Sequence, residues 1–260
     1  MTADTPSPTD CALAPVAPRG AYEVLLAISA IAFLVLAGAL IGYRVYGAQL
    51  TAGLDAACAE ASFQAGQKFE AQGNLAQAVL KYRQALGGRF SNDESRFMCG
   101  RAIGDLLVRQ GMHEEATEAY DELPPEAFRL SGHYTGYVTA LWRTGALERA
   151  RKLGEIWLEK ADAEADSTQR VWARHVLHGV AREEGDVDAA LRYGRDLLAI
   201  DPGHSTANTV ARLLIDRGEF DAAREVVETM LRNTESPGLR RAGERVLQQI
   251  AAAAAGKSDP

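Results

Sequence analysis

A six-residue phrase returns five times along the chain and constrains the fold more than any other feature. It reads Gly73-Asn74-Leu75-Ala76-Gln77-Ala78, begins again at Gly111, Gly145, Gly185 and Gly218, and ends each time in alanine, at 78, 116, 150, 190 and 223. The spacings of 38, 34, 40 and 33 residues are the period of stacked units rather than of one globular core. Each unit divides at its glycine. Before it, small and apolar residues share a helical face, as in Ala65, Gly66 and Phe69, or Val210, Ala211 and Leu214. After it a second face appears, as in Ala78, Tyr82 and Ala85, or Ala223, Val227 and Met230. Glycine suits the left-handed residue that closes a helix, and the polar residues behind it suit the start of the next.

The predicted class is therefore all-α, built from two-helix hairpins with no convincing strand. Antiparallel helices approach closely only where one facing side chain is small, which Gly66, Gly104 and the five closing alanines provide. One such hairpin buries too little surface to stand alone, so stability must come from stacking.

This pattern resembles the tetratricopeptide repeat: a small residue, an aromatic or Leu three later, a Gly turn, Ala, an aromatic four later, and a closing proline. The first unit carries it best, with Gly66, Phe69, Gly73, Asn74, Ala78, Tyr82 and Ala85; Asp201-Pro202 closes the fourth. The resemblance covers residues 57–235 and implies a right-handed α-solenoid of about five hairpins. Departures occur where His178 takes a small-residue place, Ala181 an aromatic one, and Gly154 and Gly194 a second-helix aromatic one. They predict a loosely packed fourth unit. Residues 236–255 (Leu239, Val246, Leu247, Ile250, then five alanines) read as a capping helix, and 256–260 as a loose tail.

Ahead of the repeats stands a second strong signal. Between Glu23 and Arg44 lie twenty residues without a charge, enough at about 1.5 Å per residue to cross a hydrocarbon core of about 30 Å. Tyr22, Tyr43 and Tyr46 flank the run, where amphipathic rings prefer the headgroup level. The run exceeds a signal-peptide core and has no clean cleavage site, so residues 21–46 are predicted as a retained transmembrane helix preceded by a disordered tail over 1–20. Gly38 and Gly42 form a GxxxG that would let two such helices pack as a homodimer, the alternative being a plain anchor. Arg outnumbers Lys and alanine is abundant, the bias of a GC-rich, bacterial genome. The expected place is the bacterial inner membrane, single-pass, with the soluble domain in the periplasm.

Several functions are excluded or disfavoured. A net charge of -7 lacks the basic balance of a nucleic-acid binder. No HExxH, GxSxG, phosphate-binding glycine loop or CxxC is present, so no catalytic residue is assigned, and no cofactor. His175 and His178 share a helix face at a spacing that could hold a metal, but no third ligand stands with them, and no metal is assigned. Cys58 and Cys99 fall at corresponding ends of neighbouring units; they would be either a disulfide or two separate thiols.

In the family this sequence resembles, the first helices of successive units line a concave face that holds a peptide. That register places Phe63, Gln67, Arg101, Asp105, Arg109, Trp142, Arg143, Trp172, His175, Arg182, Asn208 and Arg212 on the face. Arginines beside tryptophans suit an acidic peptide segment or a carboxylate. The competing reading pairs these arginines with neighbours such as Asp105, Glu183 or Asp216. The functional expectation is a membrane-anchored scaffold that binds a protein partner, such as a membrane-complex subunit, and supports envelope assembly. The alternative is a periplasmic holdase-type chaperone for translocation or cofactor maturation.

Overall fold

The computed structural model describes residues 19–256. Among them eleven α-helices and two 3-10 turns make up the regular structure, with no strand. The chain divides into a leading unit ending at Asp55 and a second from Ala56 onward. The tails expected over 1–20 and 256–260 lie outside the described residues, except that Arg19, Gly20 and Gly256 are helical.

The leading unit contributes the start of α1 (Arg19–Ala71). Leu26, Ile31, Phe33, Leu34, Val35 and Ile41 are all exposed there. Among the described residues α1 alone is long and apolar enough to cross a membrane.

The second unit is a succession of hairpins. The last turns of α1 pair with α2 (Leu75–Leu86), α3 (Asp93–Arg109) with α4 (His113–Asp121), and α5 (Thr135–Arg143) with α6 (Leu147–Ala163). Then α7 (Ser167–Glu183) pairs with α8 (Val187–Ile200) and α9 (Thr206–Asp216) with α10 (Phe220–Asn233), while α11 (Pro237–Gly256) packs on α9 and α10. Val246 and Ile250 of α11 share a buried cluster with Val227 and Met230.

The repeated phrase maps onto one repeated turn. Gly73, Gly111, Gly145, Gly185 and Gly218 all have φ between 75° and 79°. At each, the following N–H reaches back to the carbonyl five residues earlier, from Asn74 to Phe69 up to Glu219 to Leu214, at 2.9 Å every time. Asn74 and Asp186 then cap the second helix by accepting from Gln77 and Ala189 N–H. All five closing alanines are 0% exposed.

The departures in the middle repeats are an exchange of sizes rather than a loss of packing. In hairpins one and two, Gly66 and Gly104 on the first helix face the rings of Tyr82 and Tyr120 on the second; a Cβ on Gly66 would stand 2.6 Å from the Tyr82 ring. In hairpins three and four the glycine moves to the second helix. Leu177 of the next hairpin stands 2.8 Å from a Cβ placed on Gly154, with Val138 in ordinary contact at 3.6 Å, and Val210 of the next hairpin and His178 crowd Gly194. The loose fourth repeat expected from His178 and Ala181 is therefore not found: Leu177, Ala181, Ala190 and Tyr193 form a buried cluster. His178 is 3% exposed, with Nδ1 2.8 Å from Ala190 O and Nε2 2.8 Å from Thr209 Oγ1. Both ring nitrogens are thus satisfied, which makes a buried imidazole tolerable.

One stretch breaks the period locally. Pro124 and Pro125 cannot continue α4, so the helix stops at Asp121 and two 3-10 turns, Pro125–Ala127 and Ser131–Tyr134, lead into a short α5. Arg101 donates to Ala127 O and pairs with Glu94 at 3.2 Å. Glu164 accepts from Ser131 N at 3.0 Å and from its hydroxyl. These two side chains fix the segment from opposite sides.

Candidate functional site: a concave wall of first helices

First helix packs on first helix along the stack, α3 against α5 and α5 against α7. The wall they form has two chemically different halves.

Over hairpins one and two it is self-paired. Glu70 accepts from the Tyr82 hydroxyl at 3.0 Å and from Arg109 at 3.0 Å. Tyr120 donates to Asp105 in the same way. Both tyrosines come from second helices and reach through beside the glycines that admit them. Gly136 keeps the Tyr120–Asp105 pair open, since a Cβ there would collide with both. Arg101 is only 8% exposed and committed to Ala127 and Glu94. Arg101 is thereby withdrawn into the core, while Arg109 is half exposed and paired with Glu70. Phe63 is buried against Tyr82 and Phe90 rather than displayed.

Over hairpins three to five the wall is unpaired and aromatic. Trp172 is 50% exposed. His175 sits between the edges of Trp142 and Trp172, with ring centroids 6.2 and 6.1 Å away, and 5.2 Å from His204. Trp142 lies across Gly179, where any Cβ would strike its ring. The Arg143 guanidinium stacks 4.8 Å over the Trp142 ring. Among the described residues no ion pair involves Arg143, Arg182 or Arg212. A cavity of about 120 Å³ opens here, lined by Trp142, His175, Gly179, Arg182, Ser205 and Thr206 among others. The indole N–H of Trp142 and Oδ1 of Asn208 are buried with no hydrogen-bond partner among the described residues, a cost that a bound polar group would remove.

Burial pushes the His175 imidazole down to about 4, helped by His204, His178, Arg143 and Arg182. His178 and His204 are also lowered, chiefly by burial. Thr206 N–H donates to His204 Nδ1 at 3.1 Å, which fixes that ring as neutral with its proton on Nε2. The wall at neutral pH thus carries its positive charge on arginines, not histidines.

The remaining sequence candidates fall elsewhere. Gly38 and Gly42 are exposed on α1, with nothing within 4 Å of a Cβ at either. Cys58 is an exposed free thiol, and Cys99 a buried one whose Sγ donates to Tyr82 O, so the two are not bridged. Burial raises the Cys99 thiol to about 12. No group of three metal-ligating side chains occurs among the described residues. His204, Ser205 and Thr206 escaped the sequence reading because they lie in the turn before α9 and at its first residue; the only signal was a histidine three residues past Asp201.

Comparison with known proteins agrees with this architecture. Residues 181–237 match the family model for the tetratricopeptide repeat. No curated protein matches the chain significantly. The fold is similar to YrrB, described as a TPR protein with an unusual peptide-binding site, at 18% identity and TM-score 0.54, covering 71% of this chain and 90% of that one. It is also similar to MamA (16%, TM-score 0.58, 68% and 91% covered) and to pilF of Pseudomonas aeruginosa (19%, TM-score 0.55, 78% and 89% covered).

Proposed function

We propose that this tetratricopeptide-repeat protein is a single-pass adaptor of the bacterial inner membrane, which holds an acidic segment of a protein partner against the wall formed by α5, α7 and α9. Tetratricopeptide folds serve as protein-interaction scaffolds, and no enzyme family is indicated. The narrower reading rests on one observation: Arg143 and Arg182 stand without carboxylate partners beside Trp142, whose N–H is unsatisfied, on the wall that displays Trp172 and the equally unpaired Arg212. Guanidinium groups take a carboxylate bidentately, and the indoles contribute apolar area with little side-chain entropy to lose. A peptide-binding site on the same fold in YrrB is consistent with this use.

The exposed apolar start of α1 acts as the anchor, and Gly38 and Gly42 allow a second anchor helix to approach closely. With the repeats on the periplasmic side, the groove would meet membrane-complex subunits during envelope assembly.

The test is affinity capture from solubilised membranes, comparing the wild type with Arg143→Glu and Trp172→Ala. A stoichiometric partner lost in both variants supports the adaptor. A partner set unchanged in both overturns the groove reading. Many weakly bound clients in place of one would favour the holdase. Protease added to intact spheroplasts should remove the repeats; protection would place them in the cytoplasm instead.

A further inference from the structure

A second cavity lies away from the wall, on the layer of second helices. That layer is thinned by α4. It has nine residues, against 12 in α2, 17 in α6 and 14 in both α8 and α10. Where α4 stops short at Asp121, a cleft of about 520 Å³ remains between α2 and α4, floored by α3. Its floor is apolar: Leu86, Phe97, Ile103 and Leu123, with Leu123 folded over Gly100.

The two rims carry opposite charge. Arg83 of α2 and Arg96 of α3 line one side, with Asp93 beside Arg96 in the first turn of α3. Glu115, Glu118 and Glu122 line the other, at spacings of three and four residues along the edge of α4. All six rim side chains are exposed. None makes an ion pair or side-chain hydrogen bond recorded among the described residues, although this chain forms many ion pairs between adjacent helices elsewhere, such as Arg151 with Glu184 and Arg217 with Asp188.

We propose that this cleft is a second docking site, independent of the wall, and that it receives one amphipathic helix of a protein partner. The occupant carries an apolar ridge flanked by carboxylates on one edge and by Lys or Arg on the other. A helix is the shape that completes a layer of helices, because its side chains at i, i+3, i+4 and i+7 seat in the groove between two neighbours. Its acidic edge answers Arg83 and Arg96, and its basic edge answers Glu115, Glu118 and Glu122. Opposite rims accept only a helix with split edges and reject one that is uniformly charged.

The full chain in lipid nanodiscs tests this with three synthetic peptides of about 15 residues. One has a Leu ridge with Glu on one edge and Lys on the other. The second has Lys on both edges, and the third scrambles the first. Each carries a photo-crosslinker on the ridge and is titrated against wild type and R83E/R96E by fluorescence anisotropy. The split-edge peptide should bind the wild type, and reversing the arginine rim should weaken it by about tenfold. The all-Lys peptide should show the opposite order. Glu115→Lys with Glu118→Lys should weaken the split-edge peptide similarly, so a folding defect in one variant leaves the other as a check. Crosslinks should fall on α2, α3 and α4. The idea is overturned if the scrambled peptide binds equally, if neither rim reversal changes the order, or if crosslinks fall on α5, α7 and α9. Because Arg143→Glu touches only the wall, its effect is read separately.

Discussion

Hairpins one and two solve their internal packing one way, and hairpins three and four the other. In the first pair glycine sits on the first helix and tyrosine on the second; in the next pair the larger residue moves to the first helix and glycine to the second. Where glycine takes the second-helix position, the space is filled by a side chain of the next hairpin, Leu177 or Val210, so close packing is kept with different partners. The exchange also decides the chemistry of the concave wall. A tyrosine on the second helix is long enough to put its hydroxyl through to the wall, where Tyr82 and Tyr120 engage Glu70 and Asp105. With glycine there instead, nothing reaches through, and the arginines and tryptophans of α5 and α7 keep their hydrogen-bonding capacity for something else.

The largest effect should come from forcing one solution onto the other. Gly154→Tyr would drive a ring into Leu177 and Val138, and should cost about 3 kcal/mol. Adding Val138→Gly, which gives these two positions of the third hairpin the pattern of the first two, should return part of that in urea unfolding, since Leu177 of α7, the nearer neighbour, stays in place. Failure of the double variant to recover would break the packing argument. Next, Arg101→Ala should cost about 2 kcal/mol, because a largely buried side chain is lost together with its bonds to Ala127 O and Glu94, whereas Arg143→Ala should change stability by less than about 0.5 kcal/mol. Equal losses would mean that the two halves of the wall do not differ as described.

A smaller effect should appear on acidification. His175, His178 and His204 all belong to hairpins four and five, and their folded-state values lie below the ordinary one. The unfolded chain then binds more protons than the folded one, so stability is full above about 6.5 and declines as pH falls toward about 4. Melting followed by tryptophan fluorescence should show this decline, and His175→Gln with His204→Gln should flatten it. The smallest change is at Ala165, which joins hairpins three and four with φ of 54°. Ala165→Gly should stabilise by about 0.5 kcal/mol, the relief of strain being partly offset by a more flexible unfolded chain. Gly185→Ala should do the reverse by about 1 kcal/mol. Differential scanning calorimetry would resolve both signs.

The hairpins were legible in the sequence because a glycine turn and a closing alanine are local demands, met by one residue type each. Direction of packing was not. His178 looked like an intruder since its compensation, Gly194, lies sixteen residues away on another helix. The wall was half legible. Register alone put Arg101 and Arg143 on the same face, but the difference between them depends on Glu94, two turns back on α3, and on Ala127 O, which comes near only after Pro124 and Pro125 end α4 early. Pairing between distant residues is a tertiary fact. The cleft beside α4 was not legible at all, because it arises from what a shortened helix fails to cover.

The segment from Glu122 to Tyr134 has a mechanical side. A stack whose members touch only their neighbours stretches and bends like a coil spring, each joint adding its own compliance. Arg101 and Glu164 brace this segment from α3 and from the end of α6, so the joint between the second and third hairpins is splinted. Strain imposed anywhere along the spring would bypass that joint and collect in the later ones, where the unpaired arginines face outward.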